Sequence, residues 1–526
     1  MISLGAMLSF LSSGGTPVSG GSVIVPDEPY VEPEPPVADP TDPDGDTGDT
    51  GDGTPPDSDP APMAPTLPLV ATARWHPQFS DVALDGDRVA SATDLTGLAD
   101  ATASAGQGPL AMVDGLGRPF WRFAGDAYLQ VAQTLTLNSR NMSVFMVGRF
   151  HRISTRSQVF SIGTEASGLA PNTVSPALEA TVNQHSVPLL RAFSKPTNST
   201  FPSPERMITG AQMQVIGATM RHNNEGGNTQ WMNEHSIPTA HPLNYENVTG
   251  AEIGRFAYRP GASGKWGVFD LYEMIVYDTN ITDAEGDTLV ADLMATYDIP
   301  SITNQLVLEG DSIMQGTDDV TSGRTTDMIL TEPGAALIGG DWRVVNMASN
   351  GSKIANLINR RDAVAAWPTL TLSGQNVMAF ELGRNDITTT TGTTPAEHYD
   401  NVVAYLTDGF GDPAQSILAR GWDVRIMANI ASAPALQPNI EAYRALLRDP
   451  ALAIDTDTEA GGTYPEQVTL IDTDLITTGG DTVFATSDDA ADQSYYVGDS
   501  THPNLAGTAL RASGGDDPAR GISFGL

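Results

Sequence analysis

The pattern of apolar and polar positions changes once along the chain, close to residue 300. From about 69 to 300, short apolar or alternating runs such as Pro119–Phe123 recur between turns rich in Gly, Asn, Asp and Pro. Runs of strand length at this spacing are typical of β-sandwiches and jelly rolls. The region closes with a predicted strand at Phe269–Tyr277 and a helix that Thr282 and Glu285 begin as a capping box.

After about residue 304, strand-like runs alternate with helical ones. This alternation predicts a parallel sheet with helices on both faces, and ligands of such sheets bind beyond the carboxyl ends of the strands. The predicted strands are Gln305–Leu308, Arg343–Asn346, Val377–Leu382, Val424–Ala428 and Val468–Ile471, and the predicted helices are Ile354–Arg361, Pro395–Thr407, Gln437–Leu447 and Leu505–Ala512.

The first 68 residues show neither pattern. Residues 12–68 are rich in Pro, Gly, Asp, Thr and Ser and contain no Lys or Arg, which predicts an extended, self-repelling linker. Only residues 1–11 are mildly apolar, and we interpret them as an attachment peptide. The chain therefore divides into an N-terminal arm at 1–68, a β domain at 69–300 and an α/β domain at 301–526, which suits a length of 526 residues.

Composition excludes several classes of function. The chain has no cysteine, so disulfides and Cys-ligated metal sites are excluded. A net charge of -37 repels nucleic-acid phosphates. No apolar run reaches the length of a membrane span. A secretory signal begins with basic residues, and no basic residue precedes Arg74. We therefore expect no cofactor, no metal, no nucleic-acid partner and no transmembrane helix.

Candidate chemistry lies in about the last 220 residues of the chain. A serine nucleophile needs a base, and the base needs an orienting group. Ser312, His502 and Asp499 supply these three roles. The amides of Ser312 and Gly351 and the side chain of Asn385 could hold an oxyanion. The four motifs involved are Gly310-Asp311-Ser312-Ile313, Asn350-Gly351, Gly383-Arg384-Asn385-Asp386 and Asp499-Ser500-Thr501-His502-Pro503.

Other polar and aromatic residues have simpler interpretations. Asp311 and Asp386 are expected to brace loops, since Gly, Asp and Asn are ordinary turn residues. Arg384 either faces an anionic substrate or forms a salt bridge with a carboxylate. Four tryptophans are expected mainly in the core, with stacking on sugar rings as the alternative: Trp75, Trp121, Trp231 and Trp266. Histidines without a partner pattern are expected on the surface or in loops: His76, His151, His185 and His398.

In its four motifs, the region 301–526 resembles the SGNH, or GDSL-type, hydrolase family, with Ile313 and Ala348 as minor departures. This resemblance implies a three-layer α/β/α (flavodoxin-like) fold and metal-free serine ester hydrolysis. The preceding region resembles concanavalin A-like (laminin-G-like) jelly-roll modules. The implied fold class is multidomain, with a β jelly-roll sandwich, then the hydrolase domain, and an extended N-terminal arm. The second resemblance rests on Glu273, Ile275, Val276, Tyr277, Asp278, Ala284, Glu285 and Tyr297.

For the whole chain we expect a serine esterase acting on acylated, and in particular O-acetylated, surface polysaccharide. The β domain would bind the glycan, and residues 1–11 would hold the enzyme on a phage-like particle as an extracellular spike or fibre. Small polar residues at 388–394 predict a shallow cleft for short acyl groups. The alternatives are a non-catalytic glycan-binding or receptor-binding spike and a free secreted esterase or lipase. The sequence leaves homo-oligomerisation open.

Overall fold

The structure is a computed structural model. It describes residues 64–136, 141–150, 156–162, 177–182, 188–193, 210–221, 228–239, 249–255, 267–316, 325–363, 372–388, 392–408, 416–449, 451–452 and 467–526. The predicted attachment peptide at 1–11 and nearly all of the predicted linker lie outside these residues. Residues Pro62–Leu526 form one compact unit. Among the described helices, none has the length and apolarity to cross a bilayer.

The N-terminal part of this unit is an antiparallel β network. Its 16 strands are hydrogen-bonded into one sheet, in which β16 pairs with β1, β6 and β8. The strands are β1 Ala73–Trp75, β2 Val82–Asp85, β3 Arg88–Ala92, β4 Ala101–Thr102, β5 Leu110–Val113, β6 Pro119–Ala124, β7 Leu129–Thr136, β8 Asn141–Phe150, β9 Arg156–Ile162, β10 Ala177–Val182, β11 Pro188–Phe193, β12 Gln214–Arg221, β13 Asn228–Met232, β14 His235–Thr239, β15 Thr249–Ile253 and β16 Val268–Tyr277.

Aromatic side chains fill the core of this network. Trp75, Trp121 and Trp231 are almost fully buried, which confirms core packing for these three, whereas Trp266 lies outside the described residues. Helix α1, Asp283–Thr296, covers Trp231 and begins at the capping box predicted from the sequence. The Trp231 indole N–H donates to Asp287 at 2.8 Å, so this buried ring also has its polar atom satisfied.

The C-terminal part contains a parallel sheet of five strands in the order β18-β17-β19-β20-β21. The predicted strands and helices of this part are confirmed within one or two residues at each end. The strands are β17 Asn304–Gly310, β18 Trp342–Asn346, β19 Asn376–Glu381, β20 Asp423–Met427 and β21 Val468–Ile471, with a small hairpin of β22 Thr477–Thr478 and β23 Asp481–Thr482. The helices are α2 Ser312–Gln315, α3 Thr326–Leu330, α4 Ile354–Ala363, α5 Pro395–Thr407, α6 Gln437–Leu447, α7 Ser487–Ala490 and α8 Leu505–Ser513, with 3-10 turns at Leu418–Arg420, Thr473–Leu475 and Pro518–Arg520.

Strand β17 lies between β18 and β19 and is buried over most of its length. Its alternate side chains enter different apolar clusters, with Leu306 and Leu308 in one and Val307 in another. Since β18, β17 and β19 run parallel, the loops that follow them meet at one edge of the sheet. This edge is where the sequence places Ser312, Gly351 and Asn385.

The fold class expected from the sequence, a jelly-roll sandwich followed by a separate flavodoxin-like α/β/α domain, is wrong. The described residues are mostly β, and sixteen of their strands form one continuous antiparallel network rather than a two-sheet module. This network also contacts the parallel sheet, because the Ala211 amide donates to the Val344 carbonyl of β18 at 3.1 Å. Alternation shows which side chains face a core, but it does not show which strands pair. The predicted boundaries at 68/69 and 300/301 stay a prediction.

Candidate active site

A sharp turn after β17 presents Ser312. Gly310 has φ 146°, and a Cβ atom there would lie 2.3 Å from the carbonyl oxygen of Glu381, so only glycine fits. Asp311 then caps the following turn, since its carboxylate accepts from the Ile313 amide at 2.9 Å. Ser312 is therefore the first residue of α2, and its hydroxyl is half-buried at the carboxyl edge of the sheet.

The structure brings Ser312, His502 and Asp499 into one hydrogen-bonded chain. Ser312 Oγ lies 2.8 Å from His502 Nε2, although the two residues are 190 positions apart. His502 Nδ1 lies 2.5 Å from Asp499 Oδ2. The other oxygen of Asp499 accepts from the amides of Thr501 and His502, each at 2.9 Å. The tight turn between Asp499 and His502 is made possible by Ser500, which adopts φ 54°.

Hydrogen bonding favours the charged form of Asp499. Partial burial acts in the opposite direction, but bonds from the His502 ring and from two backbone amides lower the pKa of this carboxyl. A carboxylate at Nδ1 favours the imidazole tautomer with its proton on that nitrogen, which leaves Nε2 to accept a proton from Ser312. The side chains of His502 and Asp499 are 39% and 45% exposed, so the site opens to solvent.

Asn385 connects three loops at this edge. Its side-chain amide donates to Asp311 at 3.3 Å and to the Ser352 carbonyl at 3.1 Å. Asp311 precedes the serine, and Ser352 follows Gly351, which occupies a turn with φ 73°. The loops that carry Ser312, Gly351 and Asn385 are thus held together by the side chain of Asn385. These contacts place the five residues selected from the sequence in one region of the molecule.

Asp311 and Asp386 brace the loops, as the sequence predicted. Asp386 accepts from the Ile354 amide at 3.1 Å, at the start of α4. Burial raises the pKa of each carboxyl to about 6; for Asp311 the neighbouring Glu381 carboxylate adds to the rise. Asp311 accepts from the Ile313 amide and from Asn385, and Asp386 accepts from the Ile354 amide and lies 3.8 Å from His398 Nδ1, so both carboxyls fix the loop conformation.

The raised pKa of Asp386 predicts a pH-dependent change in stability. Between about pH 4 and pH 6 the folded protein retains a proton that the unfolded chain has lost, so stability falls as pH rises through this window. Asp386→Asn cannot ionise, yet its amide oxygen can still accept from Ile354. We expect the stability of this variant relative to wild type to improve by on the order of 2 kcal/mol from pH 4 to pH 7. Urea unfolding at both pH values checks this; a difference independent of pH would contradict it.

Both interpretations of Arg384 are wrong. The residue is 5% exposed, and its guanidinium donates to three backbone carbonyls rather than to a carboxylate or to the open cleft. The acceptors are Thr501 at 2.8 Å, Ile430 at 2.8 Å and Ala431 at 2.9 Å. Arg384 therefore connects the loop that follows β19 to the turn that carries His502.

A second buried arginine was missed by sequence analysis. Arg511 of α8 donates to the Ile313 carbonyl at 2.7 Å and forms a buried ion pair with Glu381. It thereby fixes the helix after His502 to the turn that carries Ser312. An arginine on the buried face of a short helix was the available signal, because Arg is rarely buried without a partner.

The histidines were expected on the surface or in loops, which is wrong for His398 of α5, whereas His76 lies in the loop after β1. His76 and His398 are both buried. His76 pairs with the Tyr297 hydroxyl at 2.9 Å, and His398 lies under the Gly383 turn. Burial lowers the pKa of both, to about 3 for His76, where Arg74 contributes, and to about 4 for His398. His151 and His185 lie outside the described residues. In the described part of the chain, no group of three or more acidic or histidine side chains is placed to hold a metal ion.

Comparisons with known proteins give no family for this chain. No family model matches it, and no curated protein matches it. Similar solved structures include a Trypanosoma rangeli sialidase with 2,3-difluorosialic acid as a covalent intermediate (TM-score 0.28, 11% identity, 42% of this chain and 33% of the sialidase). The same sialidase with sialic acid gives a TM-score of 0.28, with 13% identity, 44% of this chain and 35% of the sialidase. A mutant of the NanB sialidase of Streptococcus pneumoniae gives 0.23, with 13% identity, 32% of this chain and 27% of the sialidase.

These comparisons correct the family assignment. The chain spans about a third of the length of the T. rangeli sialidase. Because no family model matches, the assignment to SGNH hydrolases, concanavalin A-like modules and phage spikes is wrong. The sialidase likenesses have TM-scores too low to put another family in its place. The function of the chain must therefore be argued from the geometry of Ser312, His502 and Asp499.

Proposed function

We propose that this protein is a serine hydrolase that cleaves ester bonds, and that its substrate is an acylated glycan. The observation that carries the proposal is the continuous chain of contacts from Ser312 Oγ to His502 Nε2 at 2.8 Å and from His502 Nδ1 to Asp499 at 2.5 Å. Nucleophile, base and orienting carboxylate in this arrangement are the minimum set for acyl transfer through a serine ester.

The reaction would proceed in two halves. His502 accepts the Ser312 proton as the oxygen attacks the acyl carbonyl, and the ionised Asp499 stabilises the imidazolium that forms. His502 then gives its proton to the leaving alcohol as the bond from the acyl carbon to that oxygen breaks, which leaves an acyl-serine. Water, deprotonated by His502, attacks the acyl-serine and releases the acid, and the proton returns to Ser312.

The tetrahedral intermediate needs hydrogen-bond donors near Ser312. We propose the backbone amides of Ser312 and Gly351 and the side chain of Asn385 for this role. Without substrate, the Asn385 amide donates to Asp311 at 3.3 Å and to Ser352 at 3.1 Å, so one of these two donors would turn to the oxyanion when the intermediate forms. Loss of one such donor typically raises the barrier by about 2.7–4 kcal/mol.

The exposure of the site supports a polymeric substrate. His502 and Asp499 are each more than a third exposed, so an acyl group on a large chain can approach without being enclosed. Thr388 continues the loop after Asn385 and is partly exposed, while 389–391 lie outside the described residues. An open, polar border suits short acyl groups such as acetyl, and sugar hydroxyls are the alcohols that carry them in a polysaccharide.

We expect the purified protein to hydrolyse p-nitrophenyl acetate faster than the octanoate ester and to release acetate from an O-acetylated polysaccharide. Acetate release is measured enzymatically, alongside the same polysaccharide after alkaline deacetylation as the blank. Faster cleavage of the long-chain ester would contradict the short-acyl part of the proposal. Release of sialic acid from a sialylated glycan, with no ester cleavage, would overturn the esterase proposal and leave a glycoside hydrolase. Glycan binding without turnover would leave a binding protein.

A further inference from the structure

We infer that Arg384 is a positioning residue that sets the orientation of His502. This inference rests on the proposed function, because it assigns Arg384 a part in the same site. Arg384 does not contact the Ser312 hydroxyl or the imidazole in the described structure. It acts through the backbone of the turn that carries His502.

The peptide unit between Thr501 and His502 is held from both sides. Its carbonyl oxygen accepts from Arg384 Nη1 at 2.8 Å. Its N–H donates to Asp499 Oδ1 at 2.9 Å. Because a peptide unit is planar, fixing both of its polar atoms fixes the plane and the position of the His502 Cα, from which the imidazole extends. The same Asp499 carboxylate holds the ring through its other oxygen.

The guanidinium of Arg384 is itself anchored. Its Nη2 donates to the carbonyls of Ile430 and Ala431, in the loop that follows β20. That loop is held in turn, since the Ile430 amide donates to Glu381 at 3.2 Å and the Ala431 amide donates to Phe484 at 2.8 Å. Arg384 therefore links a braced part of the fold to the turn at 499–502, whose side chains are partly or fully exposed.

Only arginine can make these contacts with Thr501 and with 430–431 at the same time. A planar guanidinium can direct one nitrogen towards Thr501 and the other towards 430–431 at the same time. A lysine ammonium in the same place has three donors at one point and cannot reach both carbonyl groups in good geometry. Arg384 also precedes Asn385 directly, so one residue couples the base of the proposed reaction to its oxyanion donor.

We expect Arg384→Lys to lower kcat roughly 100-fold on p-nitrophenyl acetate with KM nearly unchanged, because a small misplacement of the base costs rate rather than binding. The matched control is Arg122→Lys. Arg122 of β6 is equally buried, and its guanidinium donates to both carboxylate oxygens of Asp270 in the antiparallel network, at 2.8 and 2.9 Å. The control should lose comparable thermal stability and keep kcat within about threefold of wild type.

A second measurement needs no turnover. The Nδ1 proton between His502 and Asp499 should give a downfield proton NMR signal, assigned by its loss in His502→Gln. We expect this signal to shift or broaden in Arg384→Lys and to stay unchanged in Arg122→Lys. Wild-type kcat and an unshifted signal in Arg384→Lys would overturn the inference, and so would an equal loss of kcat in the control. A wild-type protein without Ser312-dependent turnover would instead overturn the proposed function, and the NMR comparison would still judge the role of Arg384.

Discussion

Replacing Ser312 with alanine should lower kcat for ester hydrolysis by roughly a million-fold, which is the typical cost of losing the nucleophile of such a triad. The fold should be unaffected, because Asp311 still caps the turn through the Ile313 amide and the removed hydroxyl is half-buried at most. The measurement is the initial rate on p-nitrophenyl acetate, together with the thermal midpoint of both proteins.

The matched control for this variant is Ser143→Ala. It removes a hydroxyl from β8 that donates to the Thr279 carbonyl at 3.0 Å, in the antiparallel network. The Ile281 amide, which donates to the same hydroxyl at 3.2 Å, also loses its partner, so stability should fall by about 1–3 kcal/mol while activity stays that of wild type. If Ser312→Ala retained the wild-type rate, the nucleophile would have to be sought elsewhere in the chain.

The largest effect on stability is expected at Arg511. Its guanidinium and the Glu381 carboxylate are almost completely buried and bind each other, so Arg511→Met leaves a buried carboxylate without its partner. Breaking such a pair from one side typically costs about 3–5 kcal/mol. The Ile313 carbonyl also loses its donor. Urea unfolding of the variant at pH 7 measures the loss.

The double variant Glu381→Leu/Arg511→Met tests whether the loss comes from the unpaired charge. Replacing both members of a buried pair with apolar side chains is often far less costly than removing one, so the double variant should be more stable than Arg511→Met alone. The Ile430 amide, which donates to Glu381, would lose its acceptor and keep the double variant below wild type. A double variant less stable than the single one would show that the pair itself is not the source of the loss.

Local structure was largely predictable from the sequence. Helix Pro395–Thr407 begins at Thr394 with Glu397 completing a capping box, and both of its ends lie where the pattern predicted them. The five strands of the parallel sheet were recognisable because each is a short apolar run between turns. The residues of the candidate site were found from their four motifs. Three of them also follow such strands, which agrees with the choice because the carboxyl ends of parallel strands share one edge.

Long-range pairing was not predictable in the same way. Strand β16 reads as one more alternating run, yet it joins β1, β6 and β8, and this pairing depends on segments up to about 200 residues away. The same holds for Arg384 and Arg511. Each is surrounded in the sequence by residues that it does not contact, and its acceptors, Thr501 and Ile313, lie more than 100 positions away. Motif resemblance also led to a family assignment that the comparisons did not support.

Trapping an acyl-enzyme on Ser312 tests the proposed reaction most directly. The protein is mixed with p-nitrophenyl acetate, quenched in acid within milliseconds, digested and analysed by mass spectrometry. One acetyl group should appear on the peptide that contains Ser312, and it should be absent from Ser312→Ala and much reduced in His502→Gln, because His502 also removes the serine proton in the first half of the reaction. Turnover of the ester with no label on Ser312, or with the label on another residue, would contradict the mechanism.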